Sequence, residues 1–559
     1  MRVRLISLNA VVGDFSGNLQ RAAEAILGAA AAGVELAVLP ELCLVGYPPL
    51  DLALRQSFSE EAKQQLDTLQ KLISKQAKRD NFAAIVGTLL RAPDSFAEPL
   101  LNAAVFLQGE RREVRAKSLI PNYDIFDEKR YFASAFSIGG ESPEPVSYLG
   151  EKIGILICED SWHDFTAHGR KIYHHSPSKK LVEAGATMLV NISASPFATG
   201  KISRRRSMIS RTARELSVPI HYVNLSGAND EIIFDGDAFS MAASGEVAAE
   251  KQQFNASSLD VGSPKKEFSK FEKIEEIHEA ILCGIRDYAC KNGFKSAVLG
   301  ISGGIDSAVV AALAGRALGP QNVWGYILPS KFSSTHSIAD AEALARAIGI
   351  HAANFPIKFL QSTFELALKP YFSGKERDVT EENLQSRLRG VSLMAMSNKF
   401  GHMLLATGNK SEFSVGYSTL YGDMCGALAP IGDLFKTDVY RLAEFINKDS
   451  VLIPRSSIEK PPSAELKPNQ TDQDTLPEYP VLDRILHFVV EKEWNVPSTM
   501  DALRSEGLNV ELGVVEDVFR KVFAAEFKRR QAPPILRLSE KAFGIGRRYP
   551  LSKRVSALT

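Results

Sequence analysis

The chain has 559 residues, 45% of them hydrophobic and 24% charged, with 66 basic residues balanced by 66 acidic ones. That length exceeds a single hydrophobic core and predicts several domains of an ordinary globular protein. A net charge of zero leaves no electrostatic footprint for nucleic acid or a membrane surface, so the expected partners are small molecules, with no nucleic acid and no membrane.

Residues 1–18 run from an apolar stretch into a polar turn without a signal-peptide core. No apolar run approaches the ~18 residues needed to span a bilayer. A cytoplasmic protein is expected. The five cysteines, Cys43, Cys158, Cys283, Cys290 and Cys425, lack CxxC spacing, which argues against a disulfide framework and a zinc site. A cysteine that matters here is expected to be a nucleophile.

Residues 1–250 alternate β-like runs with amphipathic helices. A strand is predicted at Val3 to Leu8, a helix at Asn18 to Ala32, LAVLPE at 36–41, and a helix from Ser59 to Arg79. The runs AAIVGTLL, NAAVFLQG and EVRAKSLI follow. This is α/β patterning. Three reactive side chains stand at strand ends: Glu41 ends a buried strand in PELCLVGYPP, Lys117 lies at the end of a strand in RAKSLIPNYDIFDEKRYF, and Cys158 closes the apolar run KIGILICEDSW. Singly, a strand-end charge is a rim residue and a cysteine after Leu-Ile is core. Together, in this order, they resemble the catalytic triad of the nitrilase (carbon-nitrogen hydrolase) superfamily. The resemblance implies a four-layer α-β-β-α sandwich in which Cys158 attacks a carboxamide, Glu41 acts as general base and Lys117 stabilises the oxyanion. The chemistry is coherent, because only a thiolate attacks well, an ammonium favours it and a carboxylate shuttles its proton.

Further residues match positions of the glutamine-hydrolysing members: Tyr123 in PNYDIFD, and Ser195 and Lys201 in NISASPFATGK, imply a glutamine site. Glu128 matches another glutamate of such sites, with a solvated helix face as the alternative. Arg204, Arg205 and Arg206 are read as the exposed side of a helix from Ser203 to Leu216.

The polar stretch 251–270 is read as a linker between a domain at 1–250 and a domain at 271–559. In the second domain KSAVLGISGGIDSAVV, residues 295–310, reads as strand, tight turn and helix start. Glycines let backbone N–H groups close around an anion, and a helix N-terminus adds partial positive charge. The GK[ST] ending of a Walker A loop is absent, and Asp306 stands where its lysine would be. An acidic residue beside a phosphate loop implies a bridging cation, with Mg²⁺ expected. The string SGGIDS resembles the loop of N-type ATP pyrophosphatases, which cut ATP to an adenylate and pyrophosphate. Helices at Asp306 to Leu318 and Ser337 to Ile348, a strand at Val323 to Leu328 and a short run at Phe355-Pro356-Ile357 predict a doubly wound parallel sheet.

Three later strings complete the pattern: a helix over Glu382 to Gly401 (ENLQSRLRG…), a buried strand and polar loop over His402 to Asp423 (HMLLATGNKSEFSVGYSTLYGD), and a helix beginning behind Lys436. With SGGIDS they resemble the synthetase domain of the glutamine-dependent NAD⁺ synthetase family. That resemblance implies an ATP cradle of Gly300, Ile301, Ser302, Gly303, Gly304, Ile305, Asp306 and Ser307, with Thr407 and Lys436 on ATP. It places Mg²⁺ on Asp306 and Glu412, and deamido-NAD⁺ on Asn383, Glu412 and Lys528. The implied reaction is amidation of deamido-NAD⁺ with ATP and L-glutamine, by a homo-oligomer. Amidation of another carboxylate through the same adenylate chemistry is the alternative, against which YSTLYGD and ENLQSR weigh. The Pro-rich, polar stretch Ile458 to Pro480 predicts a mobile loop.

Overall fold

The computed structural model describes residues 1–77, 81–94, 96–137, 143–164, 166–167, 170–262, 271–468 and 470–554. Two compact units meet in sequence at Lys270 and Phe271.

The first unit contains two six-stranded sheets. One runs in the order Ser258–Asp260, Val3–Ile6, Leu36–Val38, Ala83–Arg91, Leu100–Gln108, Arg111–Ala116. The other runs Val247–Glu250, Ala238–Met241, Ile220–Asn224, Met188–Ser193, Glu151–Ile157, Val146–Tyr148. The strands read as near-continuous apolar runs because both faces are covered. Leu5, Val38, Ile85 and Phe106 meet Ile153, Ile155, Val190 and Ile192 between the sheets. Their alternate neighbours Ala37, Ala84 and Val105 pack under the helices Phe15–Ala31 and Gln56–Gln76. On the second sheet, Leu156 and Leu189 pack under Pro177–Glu183 and Lys201–Leu216. The result is the expected four-layer α-β-β-α sandwich.

The stretch read as a linker is not wholly irregular: Ser258–Asp260 pairs antiparallel with Val3–Ile6 as an edge strand of the first sheet. Its short length hid the period. Residues 263–270, the end of that stretch, lie outside the described residues.

The second unit is built on a parallel four-stranded sheet, ordered His351–Asn354, Val323–Ile327, Ala297–Gly300, Met403–Leu404. The strand His351–Asn354 lies before the predicted run Phe355–Ile357, where Pro356 lacks the N–H a ladder needs. The strand expected after His402 is only two residues long, pairing with Ala297 and Val298. The helix Ile305–Leu318 is buried along most of its length. The phosphate-loop string therefore sits at a strand C-terminus, where ligands of open parallel sheets bind.

Candidate functional sites

In the first unit, Cys158 follows the strand Glu151–Ile157 directly and opens a 3₁₀ turn, Cys158–Ser161. Its φ of +45° is left-handed, a conformation that non-glycine residues hold only when the surroundings enforce it. Asp160 does the enforcing: its carboxylate accepts the N–H groups of Ile157 (3.0 Å), Ser118 (3.0 Å) and Leu119 (2.8 Å). The turn carrying the thiol is thus tied to the segment just after Lys117.

Lys117 Nζ donates to Glu41 Oε1 at 2.8 Å and to Glu128 Oε2 at 2.8 Å. Lys117 and Glu41 are each 1% exposed, and Cys158 is 4% exposed. Asn102 Nδ2 donates to Glu41 Oε1 and the Ala194 N–H to Glu41 Oε2, both at 2.7 Å. Glu128 is buried and also accepts the Tyr47 hydroxyl at 2.9 Å, so it is no solvated helix face. Burial pulls the Lys117 ammonium toward neutrality, but Glu128 and Glu41 outweigh burial and hold its pKa well above the ordinary value. Burial and the Glu41 charge push the Cys158 thiol well up, with Lys117 opposing. The buried thiol thus feels both Glu41 and Lys117, a grouping of thiol, acid and amine side chains that nucleophilic catalysis by cysteine can use.

Tyr123 donates its hydroxyl to Glu159 Oε1 at 2.8 Å, and Tyr173 does the same at 2.9 Å. Burial pushes Glu159 up to about 7. Neither Glu159 nor Tyr173 was singled out in the sequence; adjacency of Glu159 to Cys158 was the available signal. Ser195 is buried next to Ala194, which reaches Glu41. Lys201 Nζ donates to the Pro196 carbonyl at 2.9 Å and lies over the Trp162 ring at the end of the Cys158 turn. Tyr123 and Lys201 therefore meet that turn, and Ser195 lies beside the residue that contacts Glu41. The arginine triplet is corrected: Arg205 is fully buried, paired with Asp235 and Asp237, and Arg206 pairs with Asp237 and Glu250. The helix turns two of the three arginines inward because acidic residues wait on the 232–250 hairpins.

In the second unit, Gly303 has φ +80°, and a Cβ there would lie 2.3 Å from the Ser337 carbonyl oxygen, so this position requires glycine. Ser302 and Ser307 close the loop through their hydroxyls at 3.0 Å, and the Ser302 N–H donates to Ser307 Oγ at 3.2 Å. Asp306 Oδ2 accepts Lys436 Nζ at 2.5 Å, and its Oδ1 accepts Asn409 Nδ2 at 2.9 Å. Asn409 also caps the helix Lys410–Val415 by accepting the Glu412 N–H. Glu412 Oε1 lies 3.6 Å from Lys436 Nζ. Burial, then the charge of Asp306, raises Glu412 to about 8, with Lys436 opposing.

A cavity joins these groups. Its lining includes Gly300 to Ser302, Gly304 to Ser307, Thr407, Glu412 and Lys436, together with Lys460 to Leu466 and Asp472 from the Pro-rich stretch. Asp472 went unnoticed in the sequence. It is 4% exposed, its Oδ2 accepts the Tyr479 hydroxyl, and its Oδ1 has no hydrogen-bond partner. Asn383 and Lys528 are not among the lining residues. Asn383 Oδ1 accepts the Thr419 hydroxyl, and Lys528 Nζ donates to the Gly416 and Ser418 carbonyls, so both brace the turn that carries lining residues Tyr417 and Ser418.

Asp306 and Glu412 are hard oxygen donors that repel each other across one lysine, which suits Mg²⁺. Among the described residues no group of three or more His, Cys, Asp or Glu side chains forms a ready-made metal site.

The family description "Carbon-nitrogen hydrolase" matches residues 2–261, and "NAD synthase" matches residues 277–532. The glutamine-dependent NAD(+) synthetase of Synechocystis sp. is 42% identical, covering 99% of this chain and 98% of the relative. That of Thermotoga maritima is 38% identical, covering 99% of both. Among solved structures, the glutamine-dependent NAD+ synthetase of Acinetobacter baumannii in complex with ADP superposes with a TM-score of 0.75 at 32% identity, covering 98% of each chain.

Proposed function

From the premise that this chain belongs to the glutamine-dependent NAD⁺ synthetases, we propose how its residues divide the reaction between the two units. The protein is a ligase that converts deamido-NAD⁺ to NAD⁺, using ATP and the amide nitrogen of L-glutamine, in the final step of NAD⁺ biosynthesis. The observation that carries the division of labour is one chain holding two distinct constellations, Glu41–Lys117 beside Cys158 and Asp306–Lys436 beside Glu412.

In the first unit Glu41 takes the Cys158 proton, and the thiolate attacks the glutamine carboxamide carbon. Lys117 stabilises the tetrahedral oxyanion, with a backbone N–H beside Cys158. The proton held by Glu41 passes to the leaving nitrogen, ammonia departs, and a thioester remains. Glu41 then activates water, which releases glutamate and restores the thiol. Tyr123, Ser195 and Lys201 hold the glutamine, and the Glu159 carboxylate beside the nucleophile offers a partner for its ammonium.

In the second unit the loop from Gly300 to Ser307, with Thr407 and Lys436, binds ATP. The nicotinate carboxylate of deamido-NAD⁺ attacks the α-phosphorus, displacing pyrophosphate. Ammonia then attacks the acyl carbon of that adenylate and releases AMP. Asp306 and Glu412 would hold Mg²⁺ with phosphate oxygens, and the charge neutralisation it supplies is what a pyrophosphate leaving group needs. Lys436 donates to phosphate oxygens, and Asn383, Glu412 and Lys528 shape or contact the deamido-NAD⁺ site.

We also place the protein in the cytoplasm, where ATP is supplied, as a homo-oligomer. Among the described residues no helix is long and apolar enough to cross a membrane. Exposed Phe359, Leu366 and Tyr371 on and beside the helix Lys358–Leu368 support an oligomer contact. The functional test is direct. Protein mixed with ATP, Mg²⁺, glutamine and deamido-NAD⁺ is expected to yield NAD⁺, AMP and glutamate in equal amounts; ADP in place of AMP would overturn the adenylate route.

A further inference from the structure

Behind the glutamine site lies a buried polar chain that ends on main-chain atoms. Asn224, the last residue of the strand Ile220–Asn224, clamps Ser195 twice. Its Oδ1 accepts the Ser195 N–H at 2.7 Å, and its Nδ2 donates to the Ser195 carbonyl at 3.0 Å. The same Nδ2 donates to Asp235 Oδ1 at 2.8 Å. Asp235 Oδ2 accepts Arg205 Nη2 at 2.8 Å, and Asp237 Oδ2 accepts the same nitrogen at 2.9 Å.

This is a costly way to build a core. Arg205 is fully buried over the Tyr222 ring, and its Nε and Nη1 have no hydrogen-bond partner. A buried ion pair is weak evidence for stability, and its best-attested use is to fix one register. The register fixed here is that of the turn at Ala194 and Ser195. Its Ala194 N–H also donates to Glu41 Oε2.

We propose that Asn224, anchored by Asp235 and Arg205, is a positioning residue for glutamine hydrolysis. It sets the turn so that Ser195 meets the substrate and the Ala194 N–H stays on the general base. The inference rests on the reading of Ser195 as a glutamine contact.

The test uses the full chain and compares glutamine-driven with ammonia-driven NAD⁺ formation in one preparation. Asn224→Ala is expected to raise the KM for glutamine by about 10-fold or more and lower kcat/KM, with the ammonia-driven rate held within about twofold. Arg205→Met is expected to move the glutamine KM the same way, and Arg205→Lys to restore most of it. That pair decides the matter if Asn224→Ala does not fold. Equal loss of both reactions at an unchanged glutamine KM would overturn the proposal. Ser195→Ala separates the two layers. If it raises the KM while Asn224→Ala and Arg205→Met do not, the positioning role fails alone; if it leaves the KM unchanged, the glutamine-site reading fails beneath it.

Discussion

Lys436 Nζ lies 2.5 Å from Asp306 Oδ2, although 130 residues separate them in the chain. The lysine begins the helix Lys436–Ile446, and the aspartate sits in the first turn of Ile305–Leu318. Without nucleotide, each is the other's counter-ion. In the proposed reaction ATP would exchange these partners, the ammonium turning to phosphate oxygens and the carboxylate to a cation. Lys436→Met is therefore expected to lower NAD⁺ formation about 100-fold or more with either nitrogen source. Steady-state assays with glutamine and with ammonia check this. A loss confined to glutamine would contradict the role.

The same cluster predicts a pH dependence. With Glu412 raised to about 8 by burial and by Asp306, the free site keeps a proton on that carboxyl at neutral pH. If Glu412 holds Mg²⁺ as proposed, the ion needs the carboxylate, so its binding with ATP would release a proton, and its apparent affinity would rise with pH until about 8 and then level. In the free protein the sign is opposite: a carboxyl favoured in its protonated form loses stability as pH rises from the ordinary carboxylate range toward 8. Titration calorimetry in buffers of different ionisation enthalpy measures the released proton. Glu412→Gln should abolish both the proton release and the slope.

The sequence read most clearly where chemistry and period coincided. Cys158 directly follows the strand Glu151–Ile157, Lys117 directly follows Arg111–Ala116 and Glu41 lies just past Leu36–Val38, and SGGIDS joins a strand to a helix, so the motif and its structural setting reinforced each other. What stayed hidden depends on contacts made far along the chain. Asp472 and Glu159 look like ordinary polar residues until the fold buries them, and the inward turn of Arg205 depends on acidic residues some 30 positions later. Asn383 and Lys528 show the converse limit, since matching a motif did not reveal that they brace a turn rather than line the cavity.

Cys158→Ala would remove the proposed nucleophile and leave the second unit's residues unchanged. Glutamine-driven NAD⁺ formation should vanish, while the ammonia-driven rate stays within about twofold of the parent. Loss of both would sink the assignment of two separate sites.

Glu128 supplies the second carboxylate on Lys117 and is buried with it. Glu128→Gln keeps a hydrogen-bond acceptor but removes the charge, leaving Glu41 as the sole carboxylate partner of the ammonium. The Lys117 pKa falls, proton sharing with Glu41 is disturbed, and glutamine-driven kcat/KM should drop by about 10- to 100-fold. Weakening this charged hydrogen bond costs about 2 kcal/mol. The earlier unfolding transition of the first unit would appear in calorimetry, with ammonia-driven activity retained below it.

Backbone geometry gives the most local prediction. Gly303→Ala must place a methyl 2.3 Å from the Ser337 carbonyl oxygen, at a φ of +80°. Neither atom is the end of a flexible side chain, so the loop itself has to shift, and the N–H groups proposed to hold the phosphates would move with it. Next to it, Gly304 has an ordinary backbone, and its nearest obstacle is the Ser302 hydroxyl at 3.3 Å. The ATP kcat/KM should therefore fall by about 10-fold or more for Gly303→Ala and only a few-fold for Gly304→Ala. Initial rates against ATP, run with ammonia so that the first unit does not enter, measure the contrast. Equal effects at the two glycines would show that loop shape does not position the phosphates.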